Sequence, residues 1–485
     1  MSGTRGTGLA ANISANLAVG AAALGYGVIV PAVVVRRFGA DAYGSWYLAF
    51  QVAAYVVLLD LGSQYLVANE AATRAVEPRA ARLTTAAMLV QSILAVAVVA
   101  VATAWAALTG QPRLAQLMAI LGVAGTASLL ASTVRAWFGG LRRAHVPAAW
   151  LVAARAGSVI GLLAAAAGHW GIVALTVAVA APQLGVHAGL LAWARRPPSP
   201  WARPDRDAFA RLLRDAAPLA VWTACGIAIS GVDIFVVRAV DPSDVARYAV
   251  ALPLLAIPTG VVTAAMTAWM PRVAHAESVR GAEGGRDLTF VGTTFMAAAL
   301  AIGALVFIGY ADDLVGFLAG AGHWERAATY LRLLYLASCL RFVFLPWAIL
   351  VVVRGEQRLI VVAPVVEAGV NLAASVMLGL WLGAVGVALG TLVGAAVALI
   401  VYLTAGVRRT SGSGVTPSRL ALAAAQAWPL VVGAAVVALL ALVRPGPPWR
   451  GLAAVVVGAI DARWLVRRLR HARRPGAWLA SSVEP

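Results

Sequence analysis

The sequence predicts an all-α polytopic membrane protein of about 14 transmembrane helices, and three observations lead there. Hydrophobic residues make up 61% of the chain and charged residues 12%, against roughly 45–50% and ~25% in soluble domains. Apolar runs follow one another almost end to end, each near the ~20 residues that cross a ~30 Å hydrocarbon core as a helix. The basic residues, all of them arginine, collect in the short gaps between runs. That placement is a topology signal. Lipid-facing backbone must satisfy its own hydrogen bonds, and the runs lack the alternation of barrel strands, so the spans are helical.

The expected spans are 9–35, 43–68, 83–109, 114–138, 146–168, 170–193, 216–240, 245–270, 289–309, 330–353, 358–380, 383–407, 420–443 and 449–466. The first is too long for a signal-peptide core and is followed almost directly by the second, so it is read as retained. With the N-terminus inside, the even-numbered spans end in arginine-bearing gaps: Arg74, Arg79 and Arg82, then Arg142 and Arg143, then Arg195, Arg196, Arg203 and Arg206, then Arg408 and Arg409. The tail RWLVRRLRHARR continues the trend, and inside arginines outnumber outside ones about three to one. Both termini are therefore expected in the cytoplasm of a cell-membrane protein.

The longest gap, WARRPPSPWARPDRDAFARLLRDA, is proline-rich and basic. It divides the chain into a six-helix lobe (1–194), a linker (195–215), a second six-helix lobe (216–410) and a terminal pair of helices with a basic tail (411–485). Within the linker, Asp205–Asp215 reads as a surface amphipathic helix. A shift of 215 residues lays GLRRAHVPAAW (140–150) on GEQRLIVVAPV (355–365), and VVRRFGADAYGSWY (34–47) pairs with VVRAVDPSDVARYA (236–249). Such repeats suit a pseudo-symmetric transporter with its substrate site between the lobes.

Composition also excludes. A net charge of +18 carried in inter-span gaps is not a nucleic-acid footprint. No lysine occurs, so a Walker A phosphate loop is ruled out. Cys225 and Cys339 lie far apart in apolar spans, with neither disulfide nor metal spacing. No long outside loop and no HExxH motif supports an enzyme such as a membrane glycosyltransferase, ligase or polymerase; no metal or cofactor is expected.

Ionisable and amide groups inside spans are the candidate site, because each is costly in hydrocarbon. Asp60 lies about 26 Å along span 2, either facing a watered cavity for gating or cation coupling, or held by a neighbour. Asp233 and Arg238 share span 7 but, five apart, do not stack on one face; Arg238 pairs with Arg36 in the repeat, and both fit a substrate contact or a membrane edge. Arg155 and Glu367 each lie about 13 Å deep on nearly equivalent faces of the two lobes. Arg155 would draw an anionic substrate and Glu367 would restrain it or couple to a cation; the alternatives are a structural salt bridge or a separate partner for each within its own lobe. Arg341, also at mid-depth, has no acid within a turn, and its planar fork suits an anionic substrate. Asn371 stands one turn from Glu367 and could orient it. Asn16 is either a cavity group or an interhelical hydrogen bond. Tryptophans near span ends, among them Trp105, Trp137 and Trp170, read as interfacial anchors.

Three stretches resemble one family. FGADAYGSW followed by LLDLGSQ, the run GVDIFVVRAVDPSDVARYAVALPLLAIPTGVVTAAMTAWMPRVA (231–274), and EAGVNLAASVMLGLWLGAVGVALGTLVGAAVALIVY (367–402) are similar to oligosaccharide flippases. These form the polysaccharide-transport branch of the multidrug/oligosaccharidyl-lipid/polysaccharide exporter superfamily. The resemblance implies passage of a polyprenyl-diphosphate-linked glycan to the outer leaflet by alternating access between V-shaped lobes. Membrane lipids are the other partner it implies, with a polysaccharide polymerase and glycosyltransferases as pathway neighbours. It also suggests a groove for the polyprenyl tail beside spans 13 and 14. A lipid II-type flippase and a cation-coupled multidrug exporter of the same superfamily are the alternatives. Coupling to an H+ or Na+ gradient stays open, but arginines at least equal acids at mid-depth, which favours an anionic cargo.

Overall fold

The computed structural model describes residues 4–74, 78–141, 143, 145–197, 199–320, 322–354 and 357–406. Expected spans 13 and 14, the polyprenyl groove placed beside them and the basic tail lie outside these residues. Fourteen α-helices run in order: α1 Thr4–Leu58, α2 Ser63–Arg74, α3 Pro78–Leu108, α4 Pro112–Gly140, α5 His145–Ala167, α6 Ile172–Trp193, α7 Arg206–Ser230, α8 Asp233–Val240, α9 Val245–Phe307, α10 Ala311–Ala319, α11 Glu325–Phe342, α12 Leu345–Val353, α13 Gln357–Leu382 and α14 Ala384–Val401. Among the described residues there is no strand.

Among the described residues eleven helical stretches are long and apolar enough to cross a membrane. The first of them, Ala18–Ala72, holds both spans 1 and 2, because two helices meet within α1 at the non-helical Gly39, where φ is +77°. Glycine takes that left-handed conformation without steric cost. The chain is thus an all-α polytopic membrane protein, and every expected span up to the twelfth has its helix.

Three expected spans are broken. Span 2 parts between α1 and α2, with Leu61 at φ +48° and Gly62 at φ +76°. Span 7 parts between α7 and α8 at Gly231 and Val232. Span 10 parts between α11 and α12, where Pro346 opens the second helix. Interrupted helices leave backbone groups that must find partners inside protein or beside water, and transporters build ion and substrate sites from them. The Asp205–Asp215 segment is likewise not a separate surface helix. Asp205 caps α7, its carboxylate accepting the Ala208 N–H at 2.9 Å, and α7 runs on without interruption to Ser230.

Two compact units emerge: residues 4–260 with 315–327 and 364–394, and residues 261–314 with 328–363 and 395–406. In the first, α1 packs on α4 and α5, α3 on α4, and α5 on α6. Trp137, 1% exposed, sits in its core among Phe138, Met88 and Leu190, so it is a packing residue rather than an interfacial anchor. Small residues set the spacing of α13 and α14. Gly386, Gly390 and Gly394 form a ridge on α14 that lies directly against the Leu378 carbonyl, the Ser375 backbone and Asn371 on α13. This is the small-xxx-small device that lets helix backbones touch in a membrane. In the second unit Trp347 packs with Val273, Ile349 and Leu350, Tyr335 donates to the Leu300 carbonyl at 2.7 Å, and Arg354 pairs with Glu277 at 2.8 Å.

Candidate functional site

The glycine ridge has a chemical consequence in the first unit. By drawing α14 onto α13 it helps gather oxygens from four helices, α8, α9, α13 and α14. Asp233, the first residue of α8 and only 4% exposed, accepts the Thr391 hydroxyl at 2.6 Å and the Tyr248 hydroxyl at 3.3 Å. Thr391 Oγ1 also lies 3.2 Å from the Val387 carbonyl. Ser375 Oγ is 3.2 Å from the same carbonyl and 3.2 Å from Asn371 Oδ1. Thr391 and Ser375 own one hydroxyl proton apiece, yet each is flanked by two acceptors. Each of these two protons is thus contested by two acceptors, and Asn371 Nδ2 has no hydrogen-bond partner. Two predicted residues, Asp233 and Asn371, thus meet here, while Ser375, Thr391 and Tyr248 escaped the sequence reading. Asp233 and Thr391 stand 158 residues apart, and nothing local links them.

A second cluster in the same unit is basic. The Arg155 guanidinium on α5 lies 5.4 Å over the ring of Tyr26 from α1. Arg135 of α4 and His187 of α6 are close enough to feel its charge, and Gln183 hydrogen-bonds Tyr26. His187 is 3% exposed. Arg155 makes no ion pair among the described residues, so the expected alternative of a salt bridge to Glu367 is not what the structure holds. Sequence reading singled out Arg155 alone; Arg135 and His187 carry no local signal that distinguishes them from other polar residues in spans.

The remaining candidates are dispersed. Asp60 lies in the break between α1 and α2, and its carboxylate accepts the Gly62 and Gln64 N–H groups. Its carbonyl accepts the Ser63 N–H at 2.8 Å, and a buried chain follows from Ser63 through Gln91 to Thr133, with contacts of 2.7 and 2.8 Å. Half-exposed donors at a helix start are thereby satisfied. Glu367 is buried on α13, and Asn371 accepts the Ser375 hydroxyl at 3.2 Å. Arg341, in the last turn of α11, belongs to the second unit, just before the break that precedes α12.

Arg36 and Arg238 lie at the arginine-poor end of the first unit. Arg36 donates to the Leu318 carbonyl at 3.1 Å and to that of Phe317, which caps the C-terminus of α10 with a cation. Arg238 donates to Gln111 Oε1 at 2.9 Å. Nearby, Tyr43 donates to the Ala249 carbonyl at 3.1 Å, Asp241 accepts the Ala384 N–H at 3.4 Å, and buried Asp244 pairs with Arg247 and with Arg326. The two sequence repeats thus interlock at this end. The side chain of Asn16 lies outside the described residues.

Residues 9–277, more than half the chain, match the family model described as polysaccharide biosynthesis protein. Among curated protein sequences none matches the chain. The fold is that of a lipid II flippase, MurJ, in an inward closed conformation, with a TM-score of 0.70 at 13% identity over 94% of this chain and 99% of that one. A multidrug resistance MATE family transporter of the MOP superfamily, inward-facing, superimposes with a TM-score of 0.64 at 14% identity over 81% and 95% of the two chains. A MOP superfamily transporter from Pyrococcus furiosus Vc1, described as having a binding pocket of reverse polarity, gives 0.54 at 16% over 84% and 94%. With its span pattern, its broken helices and this fold in hand, the chain belongs to the polysaccharide biosynthesis protein family of multi-pass membrane proteins.

Proposed function

We propose that the protein flips a polyprenyl-diphosphate-linked oligosaccharide across the cell membrane by alternating access, for export of a surface polysaccharide. The observation that carries this reading is Arg155: a guanidinium deep in a membrane helix, seated over Tyr26, without an ion pair among the described residues and within electrostatic reach of Arg135 and His187. A cation there costs several kcal/mol unless water or an anion compensates it. A diphosphate does so with bidentate, charge-assisted hydrogen bonds. Family membership supports the glycan, and the interlocked arginine-poor end supports a state closed on one side. That end faces outward if the arginine-rich gaps and both termini are cytoplasmic, as the charge bias favours. A polymerase and glycosyltransferases would then act on the same lipid-linked intermediates. Lipid II and small cationic drugs remain the competing cargoes; that no acid pairs with Arg155 among the described residues weighs against the cation.

The oxygen cluster supports coupling. A single carboxylate with a surplus of neutral acceptors matches a monovalent cation, Na+ or H+, better than a divalent one. Among the described residues no group of three or more His, Cys, Asp or Glu would hold a metal. Residues Asp233, Thr391, Ser375, Asn371 and the Val387 carbonyl would hold the ion, which supplies the charge that links the gradient to rearrangement of α8 against α13 and α14.

The test is reconstitution of the full chain in vesicles with a fluorescent lipid-linked oligosaccharide, read by leaflet accessibility. Wild type should translocate it. Arg155→Ala should lose at least tenfold in rate, Arg155→Lys should retain part of it, and both should insert normally. Translocation of a cationic drug but not of the glycan by the wild-type protein would sink the cargo assignment.

A further inference from the structure

We propose a second anion site, separate from the membrane-buried arginines, that binds the phosphate of an anionic lipid headgroup at the arginine-rich end of the first unit. A cavity of about 240 Å³ lies where α3 and α7 begin, lined by Arg79, Arg82, Leu83, Asp205, Asp207, Ala208 and Arg211. Three guanidinium groups face two carboxylates there, and Asp205 is already engaged by Arg82 at 2.6 Å and by the Ala208 N–H at 2.9 Å. Arg211 is held by Glu70 and, at 3.5 Å, by Asp215. Arg79 is exposed and makes no ion pair among the described residues.

The cavity is built rather than incidental. The linker is fastened to α3 by Thr85, which donates to the Pro200 carbonyl at 3.2 Å and accepts the Ala202 N–H at 3.1 Å. Trp201 packs against the core of the same unit. Two of the three arginines are thereby pre-oriented by carboxylates on other elements, which lowers the ordering cost of binding. Two helices start at the cavity, so their positive dipole ends add to the field. Leu83 opens the apolar part of α3, which sets the cavity at headgroup depth. Guanidinium groups at that depth, with room for one phosphate group and its ester substituents, match the basic pockets that recognise anionic headgroups between transmembrane helices. Nothing in this assignment depends on the cargo.

A soluble phosphate could supply the same chemistry, and the experiment separates the two sources. Purified full-length protein in a neutral detergent is titrated with short-chain phosphatidylglycerol, short-chain phosphatidylcholine or inorganic phosphate, and thermal unfolding is followed. Wild type should be stabilised by phosphatidylglycerol and not by phosphatidylcholine. Arg79→Gln, which breaks no ion pair among the described residues, should raise the half-saturating phosphatidylglycerol concentration about fivefold, the equivalent of about 1 kcal/mol per arginine, and Arg79→Lys should recover most of it. Equal stabilisation by phosphatidylglycerol in wild type and Arg79→Gln would overturn the site, as would no stabilisation at all. An Arg79-dependent response to inorganic phosphate matching that to phosphatidylglycerol would keep the anion site and overturn the lipid as its occupant.

Discussion

Thr391→Val is the sharpest probe of the oxygen cluster. Valine keeps the shape of threonine and removes only the hydroxyl that Asp233 accepts at 2.6 Å. A hydrogen bond to a charged group is worth about 1.5–3 kcal/mol. At 4% exposure of Asp233 water cannot substitute, so the upper part of that range applies. Unfolding equilibria in mixed micelles should therefore shift by roughly fifty- to a hundred-and-fifty-fold. The effect must be coupled to the carboxylate. In a double-mutant cycle with Asp233→Ala, the same hydroxyl deletion should cost far less, with an interaction energy above about 1.5 kcal/mol. The cation dependence of translocation should weaken in parallel, since the cluster loses one ligand. An interaction energy under about 0.5 kcal/mol would refute the reasoning. It would mean that Thr391 spends its proton on the Val387 carbonyl 3.2 Å away and contributes nothing to Asp233.

Three further outcomes are expected. Gly390→Ala places a methyl group against the Ser375 backbone, which cannot yield, so it should cost about 1–3 kcal/mol; a spectroscopic distance between α13 and α14 that does not change would argue against the ridge. Arg36→Gln removes a guanidinium that caps α10 through two carbonyls, and amide exchange across Ala311–Ala319 should quicken about tenfold; unchanged exchange would show the cap to be idle. The Asp205 carboxyl is held below the ordinary aspartate value of 3.8 by the Ala208 N–H and then by Arg82. Its contribution is complete above the unfolded value and lost as pH falls through the lower folded one. Proteolysis of the linker should accordingly stay flat from neutral pH down to mild acid and rise only below the ordinary value, and Asp205→Asn, which still offers a capping oxygen, should abolish that acid-triggered rise.

Hydropathy made the spans legible because burial in lipid acts on every residue of a ~20-residue stretch at once. It could not reveal the breaks at 59–62, 231–232 and 343–344, because an interrupted helix is as apolar as a continuous one. Leu61 takes a positive φ that no propensity assigns to leucine. The start of α7 was misjudged for a related reason: the amphipathic pattern of Asp205–Asp215 is real, but a helix may turn from surface to interior without ending. In the candidate site, charge at depth identified Arg155 and Asp233, since ions are conspicuous in apolar sequence. Thr391 and Ser375 were not conspicuous, being two of many hydroxyls in helices, and their importance comes from the approach of α13 to α14. Asn371 was picked out for its spacing from Glu367, one turn back along α13, whereas its carbonyl oxygen accepts from Ser375, one turn on.

The seating of Arg155 over Tyr26 has a last implication. A guanidinium held over an aromatic ring is attracted by the ring's π face, and among the described residues no carboxylate claims its N–H bonds. A carboxylate in the same place would claim those bonds and have to be displaced by every incoming cargo. The tyrosine instead steadies the charge between turnovers without competing for it, so the grip on a passing phosphate can be firm and still brief.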